Sequence, residues 1–183
     1  MDAIKKILTS LPEVVLLEPR VFGDERGFFL ESYNERVFAE IGIKEQFVQD
    51  NHSLSRSNVL RGLHYQIRQA QGKLVRVPVG EILDVAVDVR RRSPTFGKWT
   101  AERLSGENKR MMWIPAGFAH GFRVLSETAH VLYKATDYYA PEHERTLAWN
   151  DPELNIDWEL AGAAIVSSKD QLGSTLRDAE VFE

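Results

Sequence analysis

The chain has 183 residues, 43% of them hydrophobic, a net charge of −4 and no cysteine. That length fits one domain, taken as residues 1–183, with apolar content for a full core. The weak, scattered charge leaves no basic footprint for nucleic acid and no polybasic membrane patch. The missing thiols exclude a disulfide-stapled fold and thiolate metal sites.

The opening "MDAIKKILTSLPEVV" carries Asp2, Lys5 and Lys6 and lacks the apolar stretch of a signal peptide. No run approaches the roughly 18 apolar residues of a membrane span, so a cytoplasmic protein is expected. Alternation of apolar and polar residues then dominates, which points to strands. The first are predicted over Val14–Phe22 and Gly27–Tyr33. Asn34–Ile41 reads as a short helix with Asn34 as its N-cap. Strands follow at Phe47–Ser53 and along "VLRGLHYQ", residues 59–66. In Lys73–Val79, residues Val75, Val77 and Val79 share a face, and Gly80-Glu81 reads as a turn. Ile82–Arg90 puts Leu83, Val85, Val87 and Val89 on one side and Ile82, Asp84, Ala86 and Asp88 on the other. Trp99–Leu104, Met111–Ile114, Gly121–Leu125 and His130–Tyr138 complete the set, several of them separated by the turns "SPTFG", "SGEN" and "PAG". Ser167–Gln171 looks like a helix cap and first turn. The tail from residue 161 onward is expected to wrap the core or cover a partner subunit. Many short strands with such spacing suggest an all-β sandwich, barrel or jelly roll.

Polar chemistry concentrates in a few of these elements. "VLRGLHYQ" packs an arginine, a glycine and a histidine into four positions. Strict alternation sets His64 and Gln66 on one face and Arg61 on the other. For both Arg61 and His64 to serve one site, the strand must break parity, and Gly62 is suited to a β-bulge that does so. "FGDERGFFLES" carries Arg26 and Glu31; "VQDNHS" carries Gln49, Asp50 and Asn51; Lys73 opens a strand; "WIPAGFAHGF" sets His120 among glycines and aromatics. No G-x-S-x-G elbow, P-loop or dinucleotide fingerprint is present.

The motifs "FGDERGFFLES", "QDNHS", "RGLHYQ", "QGKLVRV", "WIPAGFAHGF", "YKATDYY" and "SSKDQ" occur in that order. Together they closely resemble the dTDP-4-dehydrorhamnose 3,5-epimerase family over about Val14–Leu172. The resemblance implies a cupin-type jelly roll with short peripheral helices, a homodimer and no cofactor. It implies a dTDP-4-keto-6-deoxyhexose substrate inverted at the two carbons beside its ketone. Such chemistry needs a base, an enolate stabiliser and an acid on the opposite face. His64 is the expected base, since an ordinary imidazole pKa of about 6.5 suits proton abstraction near neutrality. By family position Asp170 is its carboxylate partner; from the residues alone a helix cap is an equal reading. Lys73 is the expected enolate stabiliser and Tyr133 the acid, against the plainer readings of surface lysine and core tyrosine. Arg26, Arg61 and Lys169 are expected at the diphosphate. Glu31, Gln49, Asp50, Asn51, His120 and Glu144 are expected as further substrate contacts, and Phe22, Phe29 and Tyr139 as apolar or stacking ones.

Two rivals share the motifs. Related deoxysugar enzymes epimerise one carbon only or move the ketone. Metal-dependent cupin oxygenases carry two histidines one residue apart plus a glutamate; here the run is His64-Tyr65-Gln66, so glutamine holds the second histidine's place, and no metal is expected.

Overall fold

The structure, a computed structural model, describes residues 3–183. Thirteen strands, two short α-helices and one 3-10 turn (Pro141–His143) are assigned among them. The strands are β1 (Ile4–Leu8), β2 (Val15–Pro19), β3 (Val21–Asp24), β4 (Gly27–Leu30), β5 (Gln49–Arg56), β6 (Leu60–Gln66) and β7 (Lys73–Val79). They continue with β8 (Glu81–Asp88), β9 (Trp99–Ser105), β10 (Met111–Ile114), β11 (Phe118–Val124), β12 (Thr128–Ala135) and β13 (Glu144–Thr146). The helices are α1 (Glu35–Glu40) and α2 (Ser168–Gln171).

Two antiparallel sheets face each other. One runs β1-β2-β10-β7-β12-β5 and the other β13-β6-β11-β8-β9, while β3 and β4 form a separate hairpin. Between the sheets lies a core that includes Leu16, Val75, Val77, Ile82, Ala86, Met112, Phe122 and Val131. The other side of the five-stranded sheet packs Leu83, Val85, Val87 and Val89 against Leu154, Trp158, Leu176 and Val181 of the tail. Both predicted faces of β8 are therefore buried, one in the interior and one under the tail. The tail wraps the core, one of the two outcomes expected for it.

Helix α1 covers the outside of the six-stranded sheet, burying Phe38 against a cluster with Leu17, Leu74 and Trp113. Burial of one such ring contributes about 2 kcal/mol. Asn34 caps α1 as expected, its side chain accepting from the amides of Arg36 and Val37.

Most predicted strands shift by up to three residues at an end, and some differences have a clear physical reason. The stretch 14–22 splits at Arg20, because β2 pairs with β1 and β10 whereas β3 pairs only with β4. Glu81 belongs to β8, and Gly80 alone makes the turn, with φ +82°. Strands β1 and β13 had no predicted counterpart; β13 has three residues, too few to show a period. No helix of the described residues is long and apolar enough to cross a membrane.

Candidate active site

The parity problem at "VLRGLHYQ" is resolved by an extra residue in β6. His64 stands opposite His120 on β11, but Arg61 stands opposite Phe122, so three steps along β6 match two along β11. This is the bulge expected at Gly62, and it turns Arg61 and His64 toward one cavity. Only glycine fits there: φ is +113°, and a Cβ would lie 2.5 Å from Gly121 Cα. Gly121 is equally confined, since its own Cβ would sit 2.7 Å from Arg61 O.

That cavity, about 510 Å³, is lined by Arg61, His64, Lys73, His120, Tyr133 and Asp170, among others. His64, on β6, and Tyr133, on β12, come from the two facing sheets. Base and acid candidates thus approach from opposite walls.

Asp170 reaches His64 from far along the chain. The segment before it zips onto the start of β6 through Leu60 N–H to Ile165 O and Ile165 N–H to Asn58 O, each 2.9 Å. Ser167 then caps α2, its hydroxyl oxygen accepting from the Asp170 amide at 3.1 Å. Cap geometry and partnership with the histidine are therefore both present, the first delivering the second. Asp170 Oδ1 lies 2.6 Å from His64 Nε2, and Oδ2 accepts the Gly62 amide at 3.4 Å. Burial pushes the Asp170 carboxyl up, but His64, the Gly62 amide and Ser167 together hold it below the usual carboxylate range.

Lys73 is buried at the start of β7, its Nζ donating to His64 O at 3.4 Å. Burial pulls its pKa down to about 8, opposed by the negative charges of Glu144 and Asp84. Tyr133 is pushed above its ordinary value, mainly by burial and next by Glu144. Glu144 itself is held below the usual range: Lys169 at 2.6 Å and the Tyr139 hydroxyl at 2.9 Å more than offset the effect of burial.

The remaining predicted residues divide. Gln49 and Asn51 lie on one face of β5 and hydrogen-bond each other at 3.0 Å, while Gln49 Oε1 accepts the Tyr139 amide at 2.9 Å. They join Tyr139, Glu144 and Lys169 in one polar chain. Asp50 points the other way, to the exposed side, where it pairs with Lys134 at 2.9 Å. Arg26 sits at the tip of the β3–β4 hairpin, exposed and paired with Asp24 at 2.5 Å. Phe22 and Phe29 are cross-strand partners on that hairpin and are exposed. Glu31 is exposed just beyond it, accepting from Asn34 at 3.1 Å. None of these last five lines the His64 cavity of its own chain, and of the polar chain only Lys169 does, with Gln49, Asn51, Tyr139 and Glu144 lying beyond its lining.

Gln66, at the second histidine position of a metal cupin, is buried and committed to structure. Its amide nitrogen donates to Gln69 O at 2.7 Å and Tyr138 O at 3.2 Å, and its oxygen accepts from Ala140 N at 2.9 Å. It holds the loop that presents Tyr139. No group of three or more metal-ligating side chains converges among the described residues.

Sequence reasoning missed Asp84. It is fully buried, and its Oδ1 lies 2.7 Å from His120 Nε2. The signal was a run buried on both faces that nonetheless carries two carboxylates, Asp84 and Asp88, on one of them.

Two facing antiparallel sheets, enclosing a polar cavity with a histidine held by a buried carboxylate, define a cupin-type jelly roll equipped for proton transfer. The sequence model of the dTDP-4-dehydrorhamnose 3,5-epimerase family matches residues 8–178. The chain is 65% identical over 180 residues to the dTDP-4-dehydrorhamnose 3,5-epimerase of Pseudomonas aeruginosa, covering 98% of this chain and 99% of that one. It is 57% identical over 179 residues to the same-named protein of Salmonella typhimurium, covering 97% and 98%. The crystal structure of dTDP-6-deoxy-D-glucose-3,5-epimerase from Legionella pneumophila, in complex with dTDP-4-keto-L-rhamnose, superimposes with a TM-score of 0.95 at 52% identity, covering 97% of this chain and 95% of that one. The chain belongs to the dTDP-4-dehydrorhamnose 3,5-epimerase family, a family of isomerases.

Proposed function

We propose that this protein converts dTDP-4-dehydro-6-deoxy-D-glucose to dTDP-4-dehydro-β-L-rhamnose, a step in making dTDP-L-rhamnose, with the following division of labour. The carbon-bound hydrogens at C3 and C5 are acidic because both carbons flank the C4 ketone. His64 takes the proton, and the bonding electrons pass into the ketone as an enolate. Asp170 orients the imidazole and stabilises the imidazolium that forms. The Lys73 ammonium stabilises the charge on the enolate oxygen. Tyr133 returns a proton to the carbon from the opposite side, inverting it; His64 then gives its proton to solvent, Tyr133 regains one from solvent, and the second carbon is treated in the same way.

One observation carries this reading: His64 on one sheet, paired at 2.6 Å with Asp170 of α2, and Tyr133 on the other sheet line a single cavity. Arg61 and Lys169 are assigned to the diphosphate, His120 to the sugar, and Gln49, Asn51, Tyr139 and Glu144 to the thymidine end. Asp50, facing away, is given no role. Arg26, Glu31, Phe22 and Phe29 are assigned to the cavity of a second copy in a homodimer. That placement accounts for site residues standing on an exposed hairpin with Phe22 51%, Phe28 59% and Phe29 69% accessible. A cytoplasmic setting follows from a substrate that is a charged nucleotide sugar.

The test is turnover in deuterated water, followed by nuclear magnetic resonance (NMR) of the product. Deuterium at both C3 and C5 is expected. Deuterium at one carbon alone would make the protein a mono-epimerase and overturn the double assignment.

A further inference from the structure

Asp84 has no part in the division of labour above, yet its placement is costly. It is fully buried on β8, between Ile82 and Ala86 of the interior core. One oxygen meets His120 at 2.7 Å, while Oδ2 is buried with no hydrogen-bond partner among the described residues. An unmatched buried carboxylate oxygen destabilises a fold, so packing does not account for the residue.

Its surroundings do. His120 and His64 are direct cross-strand neighbours, so two imidazole–carboxylate pairs stand side by side on one cavity wall. A carboxylate only accepts, so the His120 nitrogen facing Asp84 carries the proton, and Nδ1, the nitrogen left over, is an acceptor.

We propose that Asp84 is a positioning residue: it locks the His120 ring so that Nδ1 is presented to a sugar hydroxyl. The proposal rests on the epimerase reading of the cavity. His120 then orients the sugar ring, and Asp84 acts only through His120.

The test compares Asp84→Asn, His120→Asn and the double variant as full-length proteins, measuring kcat, KM and dTDP affinity separately. In Asp84→Asn kcat falls about tenfold or more with dTDP affinity within about threefold. The double variant is within about threefold of His120→Asn. An Asp84→Asn kcat within about threefold of the unaltered protein, or losses that multiply in the double variant, overturns the proposal. Should Asp84→Asn fail to fold, ¹⁵N NMR of the unaltered protein decides: a His120 tautomer protonated at Nε2 is required, and one protonated at Nδ1 overturns it. Absence of epimerase activity in the unaltered protein would instead defeat the reading of the cavity, and the tautomer measurement would still judge the Asp84 pairing.

Discussion

Replacing Asp170 with Asn keeps the shape of the side chain and removes its charge. Two amide orientations are then open, and both are worse than the carboxylate. With its oxygen toward His64, Asn points its NH₂ at the Gly62 amide that Oδ2 accepts at 3.4 Å, setting donor against donor. With its oxygen toward Gly62, the NH₂ faces His64 Nε2, which now lies 2.6 Å from a carboxylate oxygen. The imidazole must then change tautomer, and its catalytic nitrogen becomes protonated and useless as a base. In either case the imidazolium formed during abstraction loses its neutralising partner. General-base catalysis is worth about 10² to 10⁴ in rate, so kcat should fall by about 10² to 10³, equivalent to about 3–4 kcal/mol. KM should change little, because Asp170 is not assigned to the nucleotide. The assay is the rate of solvent deuterium entry at C3 and C5, with melting temperature measured in parallel. Asp170 has a depressed pKa in the fold. Its ionised form therefore contributes stability above its unfolded pKa of about 4, and loses it as pH falls through the folded value. The variant should melt below the unaltered protein at pH 7, with the gap closing in acid. A kcat within threefold of the unaltered protein would refute the reasoning, as would a loss seen only in KM.

Lys73→Met should abolish turnover, by about a hundredfold or more, and yet raise the melting temperature at pH 7. Lys73 titrates near 8 in the fold against 10.5 unfolded. The protonated form is thus disfavoured by folding, and the unaltered protein should gain stability as pH rises from about 8 toward 10, a gain absent from the variant. Tyr133→Phe should slow product formation by about tenfold or more while leaving the first deuterium exchange within about threefold; equal loss in both would remove Tyr133 from the acid role. Mixing inactive Arg26→Ala chains with inactive His64→Asn chains should restore activity, because a mixed dimer would contain one cavity with both groups intact. No recovery after verified subunit exchange would put Arg26 in its own chain's site or outside any site.

The strands were readable because each buries one face or two, which imposes a period of two on Val75, Val77 and Val79 and on Leu83 through Val89. Asn34 announced α1 through its capping oxygen, and Gly62 announced the bulge, since two chemically useful residues three apart cannot share a regular strand face. What local sequence could not show was pairing across distance. Asp170 is 106 positions from His64, and its place depends on the tail zipping onto β6. Asp84 was hidden because β8 is buried on both sides, so alternation gave no sign of which face looked into the cavity. The hairpin bearing Arg26, Phe22 and Phe29 carries motif residues yet stands apart from the His64 cavity within one chain, which is why its assignment to the site of a second copy is a proposal to be tested by mixing variants.

The most direct test of the account is solvent exchange by His64→Asn. With dTDP affinity retained, the substrate incubated with stoichiometric enzyme in deuterated water should take up no deuterium at C3 or C5 above the enzyme-free rate. Uptake at the rate of the unaltered protein would mean that another group removes the proton, and the His64–Asp170 pair would lose its assigned role.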